Sequence, residues 1–206
     1  MLAPDFYPPW GGVGVNVTDI VRRLPREFYV HVVAVKRCDF SERELSEKLG
    51  FKDNVTIHFI TNARETFLYN ADFQFKCLRC VPNLVRRYGI KVIQSHMAHI
   101  PDALLRFVID TPIVTYIHST IRWQLKGILK KLQFNSLEKS ELWTLILYPF
   151  LEVIHSGYFL RRKNSYYTTE SYFMKRFIEE TYRIKITKVI PNSIDLEEVQ
   201  HYIKIE

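Results

Sequence analysis

Short apolar segments alternate with longer amphipathic segments along the chain. The short segments are rich in β-branched residues and lack a strict apolar–polar alternation, which is typical of parallel strands covered on both faces. Such strands are predicted at residues 28–35, 55–60, 91–95, 113–117, 165–169 and 188–190. Helical stripes are predicted between them, at residues 13–24, 71–88, 102–109, 171–182 and 196–202. This order predicts an α/β fold with a doubly wound, Rossmann-like parallel sheet.

Two parts of the sequence depart from this alternation. Residues 1–3 are shorter than a usual strand of about five or six residues, so we expect the opening central strand to be truncated. Residues 120–163 contain a predicted basic amphipathic helix and a second helix over 140–161, with a kink at Pro149. The first of these has an apolar stripe (Leu125, Ile128, Leu129, Leu132) and lysines at other positions (Lys126, Lys130, Lys131). Such a helix either packs on the core or lies on a membrane surface, and core packing is the commoner outcome.

The composition fits one large α/β domain. The chain has 206 residues, of which 47% are hydrophobic, and its formal net charge is +7. A basic surface attracts the phosphates of nucleic acids, anionic lipids or nucleotide sugars. The sequence contains no helix-turn-helix, RNP, KH or zinc-finger pattern, so nucleic acid is not a predicted partner.

The cysteine content bears on the compartment. Three cysteines, Cys38, Cys77 and Cys80, do not form the even, regularly spaced set of a disulfide framework. This favours a reducing compartment, and we expect a cytoplasmic protein. Cys77 and Cys80 fall inside a helical pattern without a second ligand pair, so we interpret them as ordinary helix residues rather than a zinc site.

A cluster of glycines is the first candidate for chemistry. Gly11, Gly12 and Gly14, with Val13 between them, lie between residues 1–3 and the first predicted helix. Glycine allows a ligand to approach the main chain closely, and a helix N-terminus offers unpaired N–H groups to a phosphate. The same residues also fit a tight turn without a ligand. Val17 replaces the last glycine of the dinucleotide-binding pattern, and no Gly-Lys-Ser/Thr triplet follows, so NAD binding and ATP hydrolysis are not predicted.

Two histidines end predicted strands. His96 closes the segment 92–96, and His118 closes the segment 113–118 and is followed by Ser119. Ligands of open α/β sheets bind beyond the carboxyl ends of the strands, so both side chains are expected to point into one crevice. A histidine there can hydrogen-bond a sugar hydroxyl, although it can equally cap the local backbone. No acidic third ligand is suitably placed, so no metal is predicted.

Five segments, taken together, resemble the retaining GT-B glycosyltransferases of the glycogen-synthase and sucrose-synthase type, called family 4. In chain order they are Pro8–Gly14, Gln94–His96, Pro112–His118, Ser171–Arg176 and Ile190–Asp195. They resemble, respectively, the family's glycine loop, its His-x-His strand end, its Pro-x-Val-x-Thr-x-His strand, a Ser-x-x-x-Lys/Arg helix start and the Ile-Pro-Asn-Gly-Val-Asp linker. The resemblance covers nearly the whole chain in the right order.

The resemblance implies roles for these residues. The glycine loop, from Gly11 to Gly14, would approach the phosphates of a nucleotide-sugar donor. His118 would contact the transferred sugar near its anomeric carbon. His96 would support the crevice or the acceptor, and Ser119 would also bind substrate. No cofactor or metal is implied, since the nucleotide sugar is a co-substrate. The acceptor would be a glycan, a lipid-linked sugar or a small molecule. A lipid-linked acceptor would be consistent with a peripheral contact at the inner membrane face.

The resemblance also implies a domain organisation. Residues 1–190 would form the N-terminal, acceptor-side domain and residues 191–206 the start of the interdomain linker, with the donor-binding domain outside these residues. We therefore expect the isolated chain to be inactive. The sequence departs from the family at Gln94, which replaces a histidine, and at Ser193, which replaces a glycine. A non-catalytic carbohydrate- or partner-binding module derived from such an enzyme is the alternative function.

Overall fold

The structure is a computed structural model, and it describes residues 1–9, 11–62, 66–96, 99–132, 139–152 and 166–192. Seven parallel strands form one sheet in the order β3-β2-β1-β4-β5-β6-β7. The strands are β1 (Leu2–Ala3), β2 (Val30–Lys36), β3 (Val55–Asn62), β4 (Ile93–His96), β5 (Ile113–Ile117), β6 (Tyr166–Thr169) and β7 (Lys188–Val189). The predicted doubly wound α/β fold is confirmed.

Seven α-helices connect the strands within the described residues. They are α1 (Gly12–Arg23), α2 (Glu42–Lys48), α3 (Thr66–Tyr88), α4 (His99–Leu104), α5 (Ile121–Leu132), α6 (Lys139–Glu152) and α7 (Tyr172–Tyr182). A short 3-10 helix, Leu105–Phe107, extends α4, so the helix predicted over 102–109 begins earlier and ends in a tighter turn. None of the described helices is both long and apolar enough to cross a lipid bilayer.

The opening strand is unusually short for its position. Although β1 has only two residues, it lies at the centre of the sheet and pairs on both sides. Leu2 pairs with Val33 of β2 and with Ser95 of β4, and both strand residues are buried. The opening strand is therefore central and short, as the sequence indicated, and its pairing and burial on both sides hold it in the sheet.

The core lies on both faces of the sheet. On one face, Val33 and Val35 of β2 pack with Phe73 and Cys77 of α3. On the other face, α1 and α2 pack against alternate residues of the same strands. Burying a large apolar side chain stabilises the fold by roughly 1.5–3 kcal/mol relative to leaving it exposed. Cys77 is thus a core residue, as interpreted from the sequence, and burial raises the pKa of its thiol.

Helix ends follow local chemistry. The end of α3 at Tyr88 was predicted from Gly89, which adopts a left-handed conformation with φ of 61°. Helix α2 was not predicted, although the sequence carries its signal. Ser41 accepts a hydrogen bond from the backbone N–H of Glu44, and the Glu44 side chain accepts one from the Ser41 N–H, which together form a capping box. The helix predicted over 140–161 is α6 as far as Glu152, whereas 153–161 and the helix at 196–202 lie outside the described residues.

Candidate functional site at the carboxyl edge of the sheet

The strand order creates a crevice at one edge of the sheet. The connection from β1 leads to β2 on one side, whereas β4 and β5 lie on the other side. Loops that follow β1 and β4 therefore diverge at the carboxyl ends of their strands, and such a switch point is where open α/β sheets bind ligands. The glycine loop follows β1, His96 is the last residue of β4, and His118 directly follows β5.

The first turn of α1 suits an anion. Helix α1 begins at Gly12, and its N-cap residue, Gly11, provides no side-chain hydrogen bond to the first backbone N–H groups. A Cβ atom added at Gly11 or Gly12 would meet nothing within 4 Å. The backbone is thus open at the positive end of the helix, where N–H groups and the helix dipole favour a phosphate or carboxylate. Val13, the next residue of this turn, is half-buried.

Gly14 has a different reason to be glycine. A Cβ atom there would lie 2.5 Å from the carbonyl oxygen of Asp5, 2.8 Å from Cβ of Pro9 and 3.0 Å from the carbonyl oxygen of Phe6. The absence of a side chain thus lets α1 pack directly on the backbone of the preceding loop. Of the predicted phosphate-loop glycines, two face open space and the third is required by packing.

His96 and His118 are brought together, as expected from their positions at strand ends. Nδ1 of His96 lies 2.9 Å from Nε2 of His118. His96 is fully buried, and its Nε2 has no hydrogen-bond partner among the described residues. A buried N–H without an acceptor is rarer and costlier than a buried unprotonated nitrogen without a donor. We therefore assign the proton of His96 to Nδ1, from which it is donated to His118. His118 then carries its own proton on Nδ1.

Both imidazoles are neutral near pH 7. Burial lowers the pKa of His118 to about 4. Burial, together with the neighbouring His118, lowers the pKa of His96 well below its usual value. The pair therefore offers neutral hydrogen-bonding groups at physiological pH rather than positive charge. This suits the binding of hydroxyl groups better than the neutralisation of a phosphate.

Ser119 fixes the loop that follows His118. Its hydroxyl oxygen accepts a hydrogen bond of 2.8 Å from Nε2 of Gln124 in α5. The adjacent Thr120 is buried, and its hydroxyl accepts the backbone N–H of Trp123 at 3.1 Å, which stabilises the first turn of α5. Ser119 therefore lies beside the histidine pair but is tied to the helix that follows it.

Sequence reasoning did not identify Tyr116, which contacts both histidines. Its ring centroid lies 5.3 Å from that of His96 and 4.5 Å from that of His118. Its hydroxyl donates to the carbonyl oxygen of Ile190 and lies 3.1 Å from Oδ1 of Asn192. Tyr116 is in the same predicted strand as His118, two residues before it, and this even spacing is the only sequence signal that it shares a side with the histidine.

Two buried or half-buried carboxyl groups also lie near the ends of these strands. Asp102 accepts a 2.8 Å hydrogen bond from the hydroxyl of Thr115 in β5, and burial raises the pKa of the Asp102 carboxyl to about 6. Glu170 directly follows β6, and burial raises its pKa as well. Within the described residues, no three His, Cys, Asp or Glu side chains lie close enough together to bind a metal ion.

Comparison with solved structures shows what this architecture is. The apo structure of UGT2 from Phytolacca americana aligns with 98% of this chain and 54% of its own length, with 9% identity and a TM-score of 0.55. The structure of the same protein complexed with UDP-2fluoro-glucose and pterostilbene aligns with 100% of this chain and 56% of its own, with 8% identity and a TM-score of 0.57. The chain thus spans about half the length of these structures. A search of curated protein sequences finds no significant match.

The seven-stranded parallel sheet is therefore the N-terminal half of a GT-B glycosyltransferase fold, as the sequence predicted. The model of Glycosyltransferase Family 4 matches residues 10–198. The chain belongs to that family. Its match includes the glycine loop, both strand-end histidines and the segment that follows β7.

Proposed function

We propose that this chain is the acceptor-side domain of a retaining glycosyltransferase, which transfers a sugar from a nucleotide-sugar donor to a glycan, lipid-linked or small acceptor. Residues 1–190 form this domain, and residues 191–206 begin the linker to a donor-binding half. The observation that carries the proposal is the hydrogen-bonded His96–His118 pair at the carboxyl ends of β4 and β5, at the same switch point of the sheet where β1 leads into the open N-terminus of α1. The complex of a structural neighbour with UDP-2fluoro-glucose supports a nucleotide sugar as the donor.

The proposed roles follow from charge. The first turn of α1, around Gly11 and Gly12, stabilises the negative charge that develops on the leaving nucleoside diphosphate, because its N–H groups are preorganised and uncapped by a side chain. His118 is neutral and hydrogen-bonds the transferred sugar. His96 is buried behind His118 and fixes its tautomer, in the way that a partner group orients a functional histidine.

A sugar-transfer assay with two histidine variants tests this proposal. The enzyme is the polypeptide encoded by the whole reading frame that contains this chain, supplied with a panel of nucleotide sugars and acceptors. We expect His118→Ala to lower kcat by about 10²–10³-fold, the usual effect of losing one preorganised hydrogen-bonding group in a transition state. The matched control is His58→Ala, since Nε2 of His58 lies 2.9 Å from Nδ1 of His31 in a second histidine pair, on β2 and β3.

Equal transfer rates for His118→Ala and His58→Ala would refute the assigned role. Residues 1–206 alone should show no turnover, because the donor-binding half lies outside them. Binding still tests the loop in this shorter chain. Inorganic pyrophosphate should shift the backbone amide signals of Gly11, Gly12 and Val13 in ¹⁵N-resolved NMR spectra, and unchanged signals at millimolar pyrophosphate would argue against a phosphate site. Glycan binding by the whole polypeptide without any transfer would instead support a non-catalytic binding module.

A peripheral membrane contact is supported by the surface of α5 and α6. Leu142, Ile146 and Phe150 repeat every four residues on α6 and are each more than half exposed. Helix α5, which packs against α6, carries lysines, and a surface that combines an apolar stripe with lysines fits an anionic lipid surface. Helix α5, which was predicted from its own apolar stripe, faces the core only in part, because Ile128 is buried whereas Leu129 is exposed.

Co-sedimentation with phosphatidylglycerol vesicles at low salt tests this contact. We expect binding, and we expect it to be lost in Lys126→Glu/Lys130→Glu. Lys131 is left unchanged because it pairs with Glu141 at 2.6 Å, so its replacement would also disturb the contact between α5 and α6. Lys91→Glu/Lys185→Glu, on two exposed residues outside these helices, changes the net charge by the same amount and is the control. Absence of binding by the unmodified protein would exclude the contact.

A further inference from the structure

One amide oxygen joins three parts of the domain that are far apart in sequence. Oδ1 of Asn192 accepts a 2.8 Å hydrogen bond from Nδ2 of Asn16 in α1, and the hydroxyl of Tyr116 in β5 lies 3.1 Å from the same oxygen. Asn16 is buried in α1, in the turn after the glycine loop. Asn192 belongs to the segment by which the chain leaves the sheet after β7.

Tyr116 also holds the backbone of that segment. Its hydroxyl donates to the carbonyl oxygen of Ile190, whose own N–H donates to the carbonyl oxygen of Thr169 at 2.8 Å. Residues 190–192 are therefore attached to the ends of both β5 and β6. Burial raises the pKa of the Tyr116 hydroxyl to about 12, so it remains a hydrogen-bond donor throughout the physiological pH range.

The ring of the same tyrosine packs against the histidine pair. Tyr116 is almost fully buried, with its ring nearly parallel to that of His96, at an interplanar angle of 16°, and tilted by 30° against that of His118. The phenol thus has two ends with different contacts. The hydroxyl contacts residues 190–192, whereas the ring packs against the two imidazoles. In a close-packed interior, a displacement at one end of such a rigid ring changes the space at the other end.

We propose that Tyr116 is a positioning residue, through which the placement of residues 190–192 sets the orientation and hydration of the His96–His118 pair. Movement of residues 190–192 would then alter the site through Tyr116. The link to catalysis rests on the proposed function of His118. The structural coupling itself does not depend on that function, and it can be measured in residues 1–206.

Histidine NMR separates this coupling from a loss of stability. The test variant is Asn192→Ala, which removes the oxygen that accepts from Asn16 and lies beside the Tyr116 hydroxyl, while the contacts of the Tyr116 ring with both imidazoles are kept. We expect the ring signals of His96 and His118 to shift and the pKa of His118 to rise from about 4 by about one unit or more, because loosening of the segment admits water to the ring. Tyr116→Phe keeps the ring but removes the hydroxyl, and should produce a shift of the same sign.

Two controls are available within the chain. The His31 and His58 signals should not change, since that pair lies on β2 and β3 and stacks with Tyr88. Asn54→Ala is the matched substitution. Asn54 is also a buried amide that holds a loop, with Nδ2 donating to the carbonyl oxygen of Phe28 at 2.5 Å. This variant should lower stability while leaving His96 and His118 unshifted.

The double variant Asn192→Ala/Tyr116→Phe tests whether the coupling passes through Tyr116. If Tyr116 carries the coupling, Asn192→Ala should add little to the shifts caused by Tyr116→Phe, because coupled residues are not additive. Unshifted His96 and His118 signals in Asn192→Ala would overturn the proposal, as would equal shifts in Asn54→Ala or full additivity in the double variant. In the transfer assay, Tyr116→Phe should lower kcat more than Asn54→Ala does. An absence of transfer by the unmodified protein would contradict the proposed function but not the coupling seen by NMR.

Discussion

Replacement of Gly14 by alanine tests how the glycine loop is built. The alanine Cβ atom would lie 2.5 Å from the carbonyl oxygen of Asp5 and 3.0 Å from that of Phe6, distances that real Cβ atoms rarely or never show. Both neighbours are backbone atoms, so they cannot be relieved by rotation of a flexible side chain. Either α1 or the loop from Asp5 to Pro9 must move.

The size of the effect follows from two opposing terms. Overpacking a well-packed site costs typically about 1–3 kcal/mol, and contact with fixed backbone on two sides argues for the upper end. Alanine in a helix is favoured over glycine by roughly 0.5–1 kcal/mol. The expected net loss in the free energy of unfolding is therefore about 2 kcal/mol. For a chain of this size, that corresponds to a fall in Tm of about 4–8 °C.

Urea unfolding followed by circular dichroism measures this loss. Gly127→Ala is the matched control, because Gly127 lies inside α5 and a Cβ atom there meets nothing within 4 Å. This control should be more stable than the unmodified chain by roughly 0.5–1 kcal/mol. A Gly14→Ala variant as stable as the unmodified chain would refute the packing argument, and would mean that the glycine is not required by the contact between α1 and the loop.

Three further predictions concern charge and reactivity. Asp5→Ala should lower the free energy of unfolding by about 3 kcal/mol in urea titrations, because it removes a 2.6 Å ion pair from the buried Arg37 side chain, and Asp5→Asn should lower it less. The contribution of His118 to stability should be lost as the pH decreases from about 6.5 towards 4, since the folded chain keeps His118 neutral while the unfolded chain protonates it, whereas the raised pKa of Asp102 acts in the opposite direction. His118→Gln should therefore remove a loss of stability of up to about 1.4 kcal/mol per pH unit, and an unchanged pH dependence would contradict the assigned burial. The Cys77 thiol should react with Ellman's reagent only on unfolding, and rapid reaction in the native state would show that the face of the sheet covered by α3 is open.

The sequence predicted the parts of the site that depend on strand ends. The bounds of β5 agree with the prediction, and the carboxyl ends of parallel strands meet at one edge, so His96 and His118 could be placed together without knowledge of side-chain packing. The resemblance of the ordered segments to a known family strengthened the same conclusion. These features are local in sequence or follow from the topology of the sheet.

The remaining features depend on contacts between distant residues. Nothing near Tyr116 in the sequence indicates that its hydroxyl meets Asn192, 76 residues away. The steric need for glycine at position 14 arises from the path of the loop after Asp5, which the sequence does not specify. In contrast, α2 had a local signal, the capping box formed by Ser41 and Glu44. This helix could have been predicted from the sequence, but the signal was overlooked.

The short central strand has a consequence for the order of assembly. Leu2 and Ala3 pair with Val33 and Ala34 on one side, and Leu2 pairs with Ser95 on the other, so the partners of this strand lie far from it in the sequence. Two residues cannot hold such a position alone, so the centre of the sheet closes only after β4 has been made. Until then, the edges of β2 and of the nascent β1 remain unpaired, a condition that favours slow folding and self-association in parallel sheets. Closure of the sheet centre thus depends on pairing between segments that are far apart in the sequence.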